Sequence, residues 1–232
     1  MKYIKLSLTI IYLSIIMINS SYAQDWANSN HYKDDNKELG LPSQGVNRIV
    51  FIGNSITESW GSMSPEFFSG KPYINRGISG QTSPQMLIRF RTDVIDLKPK
   101  IVIILAGTND IAGNTGLATL KMISDNIFSM AELAKINGIK VILSSVLPAF
   151  DFPWRTGLQP AEKIIKLNEL IKNYATKNGF EYLDYHSSMK DQRNGLKNTY
   201  TYDGVHPNKK GYQVMAPLTE EAIMNVLNQS TQ

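Results

Sequence analysis

The sequence predicts a single α/β domain built on a parallel sheet of about five strands with helices on both faces. Two observations carry this: short unbroken apolar runs rich in β-branched residues, and longer stretches of helical spacing between them. The strand candidates are Ile49-Val50-Phe51-Ile52, the weaker Tyr73-Ile74, Ile101-Val102-Ile103-Ile104-Leu105, Val141-Ile142-Leu143 and Tyr182-Leu183. Their apolar character is continuous rather than alternating, the mark of strands covered on both sides.

The helices follow in turn. Thr82-Ser83-Pro84 starts one, with proline suited to a first turn. Leu117 to Asn137 is a second, with Leu120, Ile123, Ile127, Met130 and Leu133 on one face and Gly138 as its stop. Pro160 to Asn178 is a third, with Ile164, Leu167, Ile171 and Tyr174 inward and Gly179 after it, and Asn208 to about Leu227 is the last. Strands alternating with helices imply right-handed crossovers, and active sites in such sheets lie at the carboxyl ends of the strands.

With 232 residues and 42% apolar content, the chain is long enough for one well-buried core, and no composition shift marks a second domain. Two lysines, an apolar run from Leu6 to Ile18 and the small residues of Ser21-Tyr22-Ala23 read as a signal peptide over residues 1–23, hence an exported protein, periplasmic or secreted. The alternative, a membrane anchor, needs about 20 apolar residues, and this run is shorter and broken by Ser7, Thr9 and Ser14. Residues 24–47 are polar and lack periodicity, so they are expected to be a mobile lead-in, with the folded domain spanning residues 48–232.

There is no cysteine, which excludes disulfides, thiolate catalysis and sulfur-ligated metals. The net charge is +4, and Lys2 and Lys5 belong to the leader, so the mature chain would carry +2, which makes no case for nucleic acid. Lys209-Lys210 lacks interleaved aromatics and reads as a solvated helix face, as do Arg76, Arg89 and Arg91.

Four polar clusters fall at predicted strand ends or just before the last helix. In Gly53-Asn54-Ser55-Ile56-Thr57, Ser55 stands on a tight strand-to-helix turn, where a serine either attacks a carbonyl or caps the helix. In Asn75-Arg76-Gly77-Ile78-Ser79-Gly80-Gln81-Thr82, Gly80 offers an N–H for an oxyanion or is a plain loop glycine. Gly107-Thr108-Asn109-Asp110 ends the most apolar strand. There Asn109 has an amide to donate to a negative oxygen, and Asp110 is expected to brace the loop by accepting backbone N–H groups.

In Tyr202-Asp203-Gly204-Val205-His206-Pro207, one turn either brings a carboxylate to the imidazole Nδ1 and leaves Nε2 to face a serine, or is an ordinary surface turn. His31 lies in the lead-in and His186 lacks the Asp-x-x-His spacing, which leaves His206 as the base.

Together and in this order, Gly-Asn-Ser-Ile, Ser-Gly-Gln-Thr, Gly-Thr-Asn-Asp and Asp-Gly-Val-His-Pro resemble the SGNH hydrolases, also called GDSL esterases and lipases, over about Arg48 to Leu227. The resemblance implies a three-layer α/β/α domain of flavodoxin-like strand order and a triad of Ser55, His206 and Asp203. It also implies an oxyanion hole from the backbone N–H of Ser55 and Gly80 and the side chain of Asn109. The aspartate that names the GDSL motif is Asn54 here, expected to be a turn residue. No metal or organic cofactor is called for, since neither a His/carboxylate cluster nor a phosphate-binding glycine loop with lysine is present.

For substrate, the loop Leu147 to Gly157 offers Trp154 as a stacking platform and Arg155 for an anionic group, or else its aromatics simply cap the core. The resemblance leans toward acetylhydrolases and carbohydrate acetylesterases: a serine ester hydrolase removing short acyl groups, acetyl first, from small-molecule or glycan esters. The alternatives are a lysophospholipase or thioesterase, for which no apolar flap is evident, and a catalytically silent glycan-binding module. Substrate apart, no membrane insertion after leader cleavage is expected, and the oligomeric state is left open.

Overall fold

The structure, a computed structural model, describes residues 25–229. The predicted signal peptide lies outside the described residues.

Five strands form the sheet: β1 (Ile49–Gly53), β2 (Tyr73–Gly77), β3 (Ile101–Ile104), β4 (Lys140–Ser144) and β5 (Glu181–Leu183). Every pairing is parallel and the order is β2-β1-β3-β4-β5, the flavodoxin-like arrangement. The helices are α1 (Lys33–Leu39), α2 (Ser55–Met63), α3 (Ser83–Asp93), α4 (Thr108–Ala112), α5 (Leu120–Ile136), α6 (Ala161–Asn178), α7 (Tyr185–Met189) and α8 (Lys209–Asn228).

The continuous apolar strands resolve into two faces because successive side chains point oppositely. Val50, Ile52, Val102, Ile104, Val141 and Leu143 pack with Met86 and Phe90 of α3, Ile127 and Met130 of α5 and Leu167 and Ile171 of α6. Ile49, Phe51, Ile101, Ile103 and Ile142 pack on the other side with Ile56 and Trp60 of α2 and Tyr212, Met215 and Ile223 of α8. Hence a run such as Ile101–Ile104 must be apolar at every position.

The helix starts are set by caps. Thr82 and Gln85 form a capping box ahead of Pro84. The Thr119 hydroxyl accepts from Met122 N, so α5 starts at Leu120, three residues after the predicted start, and Leu117 lies almost fully in solvent.

Three features depart from the sequence reading. The lead-in holds a helix, α1, and is fastened to the domain, with Ala27 only 2% exposed. Its polar residues make specific hydrogen bonds that apolar periodicity does not register. Arg76 and Arg89 are buried, not surface charges: Arg89 is fully enclosed and paired with Asp93 at 2.9 Å, while Arg76 lies over the Tyr32 ring and donates to Asn36. The short helices α4 and α7 lack the length that makes a period visible.

Candidate active site

The strand order reverses direction between β1 and β3, and ligands of such sheets bind at the carboxyl ends beside that point. Ser55 follows β1, Gly80 follows β2, and Asn109 follows β3.

Ser55 is the first residue of α2. Asn54 before it is the cap, its side-chain oxygen accepting from Ile56 N at 3.0 Å. The turn permits no bulk on either side: a Cβ on Gly53 would lie 2.0 Å from the Thr57 hydroxyl, and one on Gly77 only 2.1 Å from Glu58 N. Strand, turn and helix therefore approach as closely as backbone allows, which presents the Ser55 hydroxyl at the carboxyl end of the sheet.

His206 arrives from the loop before α8, with Nε2 2.9 Å from Ser55 Oγ. Its Nδ1 lies 2.6 Å from Asp203 Oδ2. The other carboxylate oxygen of Asp203 accepts from Val205 N at 2.9 Å and His206 N at 2.8 Å. Partial burial works to raise the Asp203 carboxyl, but these hydrogen bonds and the imidazole outweigh it, and the group titrates below the usual carboxylate range. An ionised carboxylate only accepts, so Nδ1 donates to it; the neutral ring then accepts at Nε2, and the Ser55 hydroxyl donates there. Thr201 ties the loop into a knot: its hydroxyl accepts from Gly204 N and Asp203 N and donates to His206 O at 2.7 Å.

Across the serine, Gly80 has φ +77°, a conformation that disfavours side chains, and no atom would crowd a Cβ there. Among the described residues neither Ser55 N nor Gly80 N has an acceptor, so both N–H groups are free. The Asn109 side chain, buried on the first turn of α4, donates one amide hydrogen to Gln81 O at 2.9 Å, leaving the second uncommitted. Asp110 does what the sequence suggests: both its oxygens accept from Ser83 N, at 2.9 and 3.0 Å, and one also accepts from the Ser83 hydroxyl. Burial raises its carboxyl, while the Ser83 hydrogen bonds oppose that rise.

Of the two residues expected to meet substrate, the structure brings one to the site. The Trp154 ring is half exposed with its centroid 5.8 Å from that of His206, and its indole N–H donates to Asn114. Arg155 is turned away, because its Nη1 donates to the carbonyls of Ala112 at 2.7 Å and Gly113 at 3.0 Å, closing the end of α4. Sequence reasoning missed Tyr202, whose exposed ring stacks on His206 at 6.0 Å and 10° between planes. Its signal was available in its place next to Asp203. Among the described residues no group of three His, Cys, Asp or Glu is placed to hold a metal ion.

Residues 51–214 match the GDSL-like Lipase/Acylhydrolase family. The chain belongs to that family. A solved GDSL-like lipase from Bacteroides thetaiotaomicron is 49% identical, with a TM-score of 0.84 over 86% of this chain and 98% of that one. A solved chain from Bacteroides fragilis is also 49% identical, with a TM-score of 0.86 over 88% of this chain and 99% of that one. An acetylxylan esterase from Xylanibacter ruminicola is 26% identical over 224 residues, covering 81% of this chain and 45% of that protein. The chain spans less than half the length of the curated relatives it matches. As a GDSL-type acylhydrolase fold it is of an ester-hydrolysing family, and the five-stranded order is that of the SGNH domain.

Proposed function

We propose that this chain removes short acyl groups, acetyl first, from carbohydrate or similar small esters through an acyl-enzyme on Ser55. The observation that carries the reading is the unbroken hydrogen-bonded line from Ser55 Oγ through His206 to Asp203. In it Ser55 attacks the ester carbonyl as His206 takes its proton, and Asp203 fixes the tautomer and stabilises the imidazolium. The tetrahedral oxyanion sits among Ser55 N, Gly80 N and the free amide hydrogen of Asn109. His206 returns the proton to the leaving alcohol, then activates water to release the acid.

The preference for sugar esters is supported by the exposed Trp154 and Tyr202 rings beside the imidazole, surfaces on which a pyranose ring stacks. The acetylxylan esterase relative points the same way. Export to the periplasm or medium belongs to this reading through the leader-like first residues; among the described residues no helix is long and apolar enough to cross a membrane.

Hydrolysis of aryl acetate and aryl decanoate, followed by acetylated xylo-oligosaccharides against lysophospholipid, is the test. Acetate and the oligosaccharides are expected to be preferred; a strong preference for decanoate and lysophospholipid would replace this substrate class with lipid. Fluorophosphonate labelling that disappears in Ser55→Ala is expected, and a folded protein that does not label is a binding module.

A further inference from the structure

Gly80 is held directly by a single long hydrogen bond, from Asn114 Nδ2 to its carbonyl at 3.3 Å, nothing would crowd a Cβ there, and its backbone is of the most permissive kind. Asn109 makes one hydrogen bond that fixes its amide plane, and the acceptor is the carbonyl of the residue after Gly80, Gln81. The placement of Asn109, and in large part that of its neighbour in the loop, Gly80, therefore depends on what holds Gln81.

Gln81 is 3% exposed, and its side chain is used from both ends. Oε1 accepts from Arg89 Nε at 2.6 Å, and Nε2 donates to Ala27 O at 2.6 Å. Arg89 is itself fixed at three points, by Gln81, by Asp93 and through Nη2 to the Gly53 carbonyl at 3.0 Å, two residues before the serine. The segment ahead of β1 adds two more ties to the same stretch. Trp26 O accepts from Gln85 Nε2 at 2.7 Å, and the Tyr32 hydroxyl donates to Gly77 O.

We infer that Gln81 is the positioning residue of the oxyanion site, holding Gly80 and the Asn109 amide in register with Ser55 by bridging Arg89 to the segment ahead of β1. The inference rests on the reading of Asn109 as an oxyanion donor. Gln81 touches no reacting atom. Its loss lets the loop carbonyl shift, and a displacement of about 1 Å at a catalytic group costs on the order of 10²-fold in rate.

The test is a double-mutant cycle in the full chain, read as kcat and KM on aryl acetate. Gln81→Met keeps the volume and loses both side-chain hydrogen bonds; kcat is expected to fall between about 10- and 10²-fold with KM changed less than about twofold. In an Asn109→Ala background the same substitution is expected to cost much less, because one donor it positions is already gone. If Gln81→Met does not fold, Gln81→Glu carries the cycle, since it keeps the contact to Arg89 as an ion pair and loses the donor to Ala27. Unchanged kcat, or losses that multiply fully, would overturn the inference while leaving Asn109 in the site. If Asn109→Ala alone leaves kcat unchanged, the oxyanion reading and this inference fall together.

Discussion

Residues 201–207, which carry Asp203 and His206, and residues 77–83, which carry Gly80, reach the same serine by different routes. The first loop is fixed from within: Thr201, Asp203, Gly204, Val205 and His206 hydrogen-bond one another, and the ends meet where Thr201 bridges Pro207. The second is fixed from outside, by Ala27, Tyr32, Glu58, Arg89, Asn109 and Asp110, which come from four other segments of the chain. The proton-transfer pair of the proposed mechanism needs correct relative placement of two side chains, which seven residues can encode. In the proposed mechanism the oxyanion donors Gly80 and Asn109 must match a serine that follows a different strand, and only the assembled domain supplies that.

The contrast can be tested from its largest consequence downward. Ser55→Ala or His206→Ala is expected to lower kcat by about 10⁶, and Asp203→Ala by about 10⁴, measured on aryl acetate. A residual rate in Asp203→Ala equal to that of the parent would mean that the local loop does not carry the chemistry. Asn109→Ala should lower kcat by about 10²–10³, or about 2.7–4 kcal/mol of transition-state stabilisation, with the fold retained by circular dichroism.

Asp203 supplies a pH signature for the local loop. Its folded pKa lies below the unfolded value of about 4, so its contribution to stability is complete above that value and is lost as pH falls through the folded pKa. Thermal midpoints measured from pH 6 to pH 3 should therefore fall less steeply in Asp203→Asn than in the parent; parallel curves would remove Asp203 as a contributor.

The smallest effects separate the two loops most directly. Thr201→Val removes a buried hydroxyl that serves three backbone groups and should cost about 1–3 kcal/mol. Tyr32→Phe removes one hydrogen bond to Gly77 while keeping the ring under Arg76, and should cost about 1 kcal/mol. Amide exchange is expected to quicken in residues 201–207 for the former and in residues 77–83 for the latter. Exchange that quickens in both loops for either variant breaks the distinction.

The same difference explains what was legible in the sequence. The strands were visible because a sheet buried on both faces demands unbroken apolar runs, and Asp203 and His206 because their partnership is spelled within four residues. Ser55 and Asn109 were visible as polar residues directly after such runs. Arg89 was misread as a solvated charge because two of its partners lie outside its own helix, Gly53 at the end of β1 and Gln81 in the loop before α3. The lead-in was misread because its attachments run through the backbone carbonyls of Trp26 and Ala27, which any residue type carries, and through the polar side chains of Tyr32 and Asn36, which leave no apolar period. Arg155 was assigned to substrate by its charge; only the fold shows that the carbonyls closing α4 occupy it.

The attachment of Ala27 to the Gly80 loop, and of Trp26 to the helix that follows it, has a practical side. An affinity tag or fusion partner joined just before Asp25 would sit within three residues of the carbonyls that tie this segment to Gln81 and Gln85. The end of α8 is the other available junction, and there Asn225 touches Glu181 at the start of β5, the edge of the sheet opposite to Ser55. Protein made for kinetics is better tagged at that end, and two preparations differing only in tag position would report on the loop without any substitution.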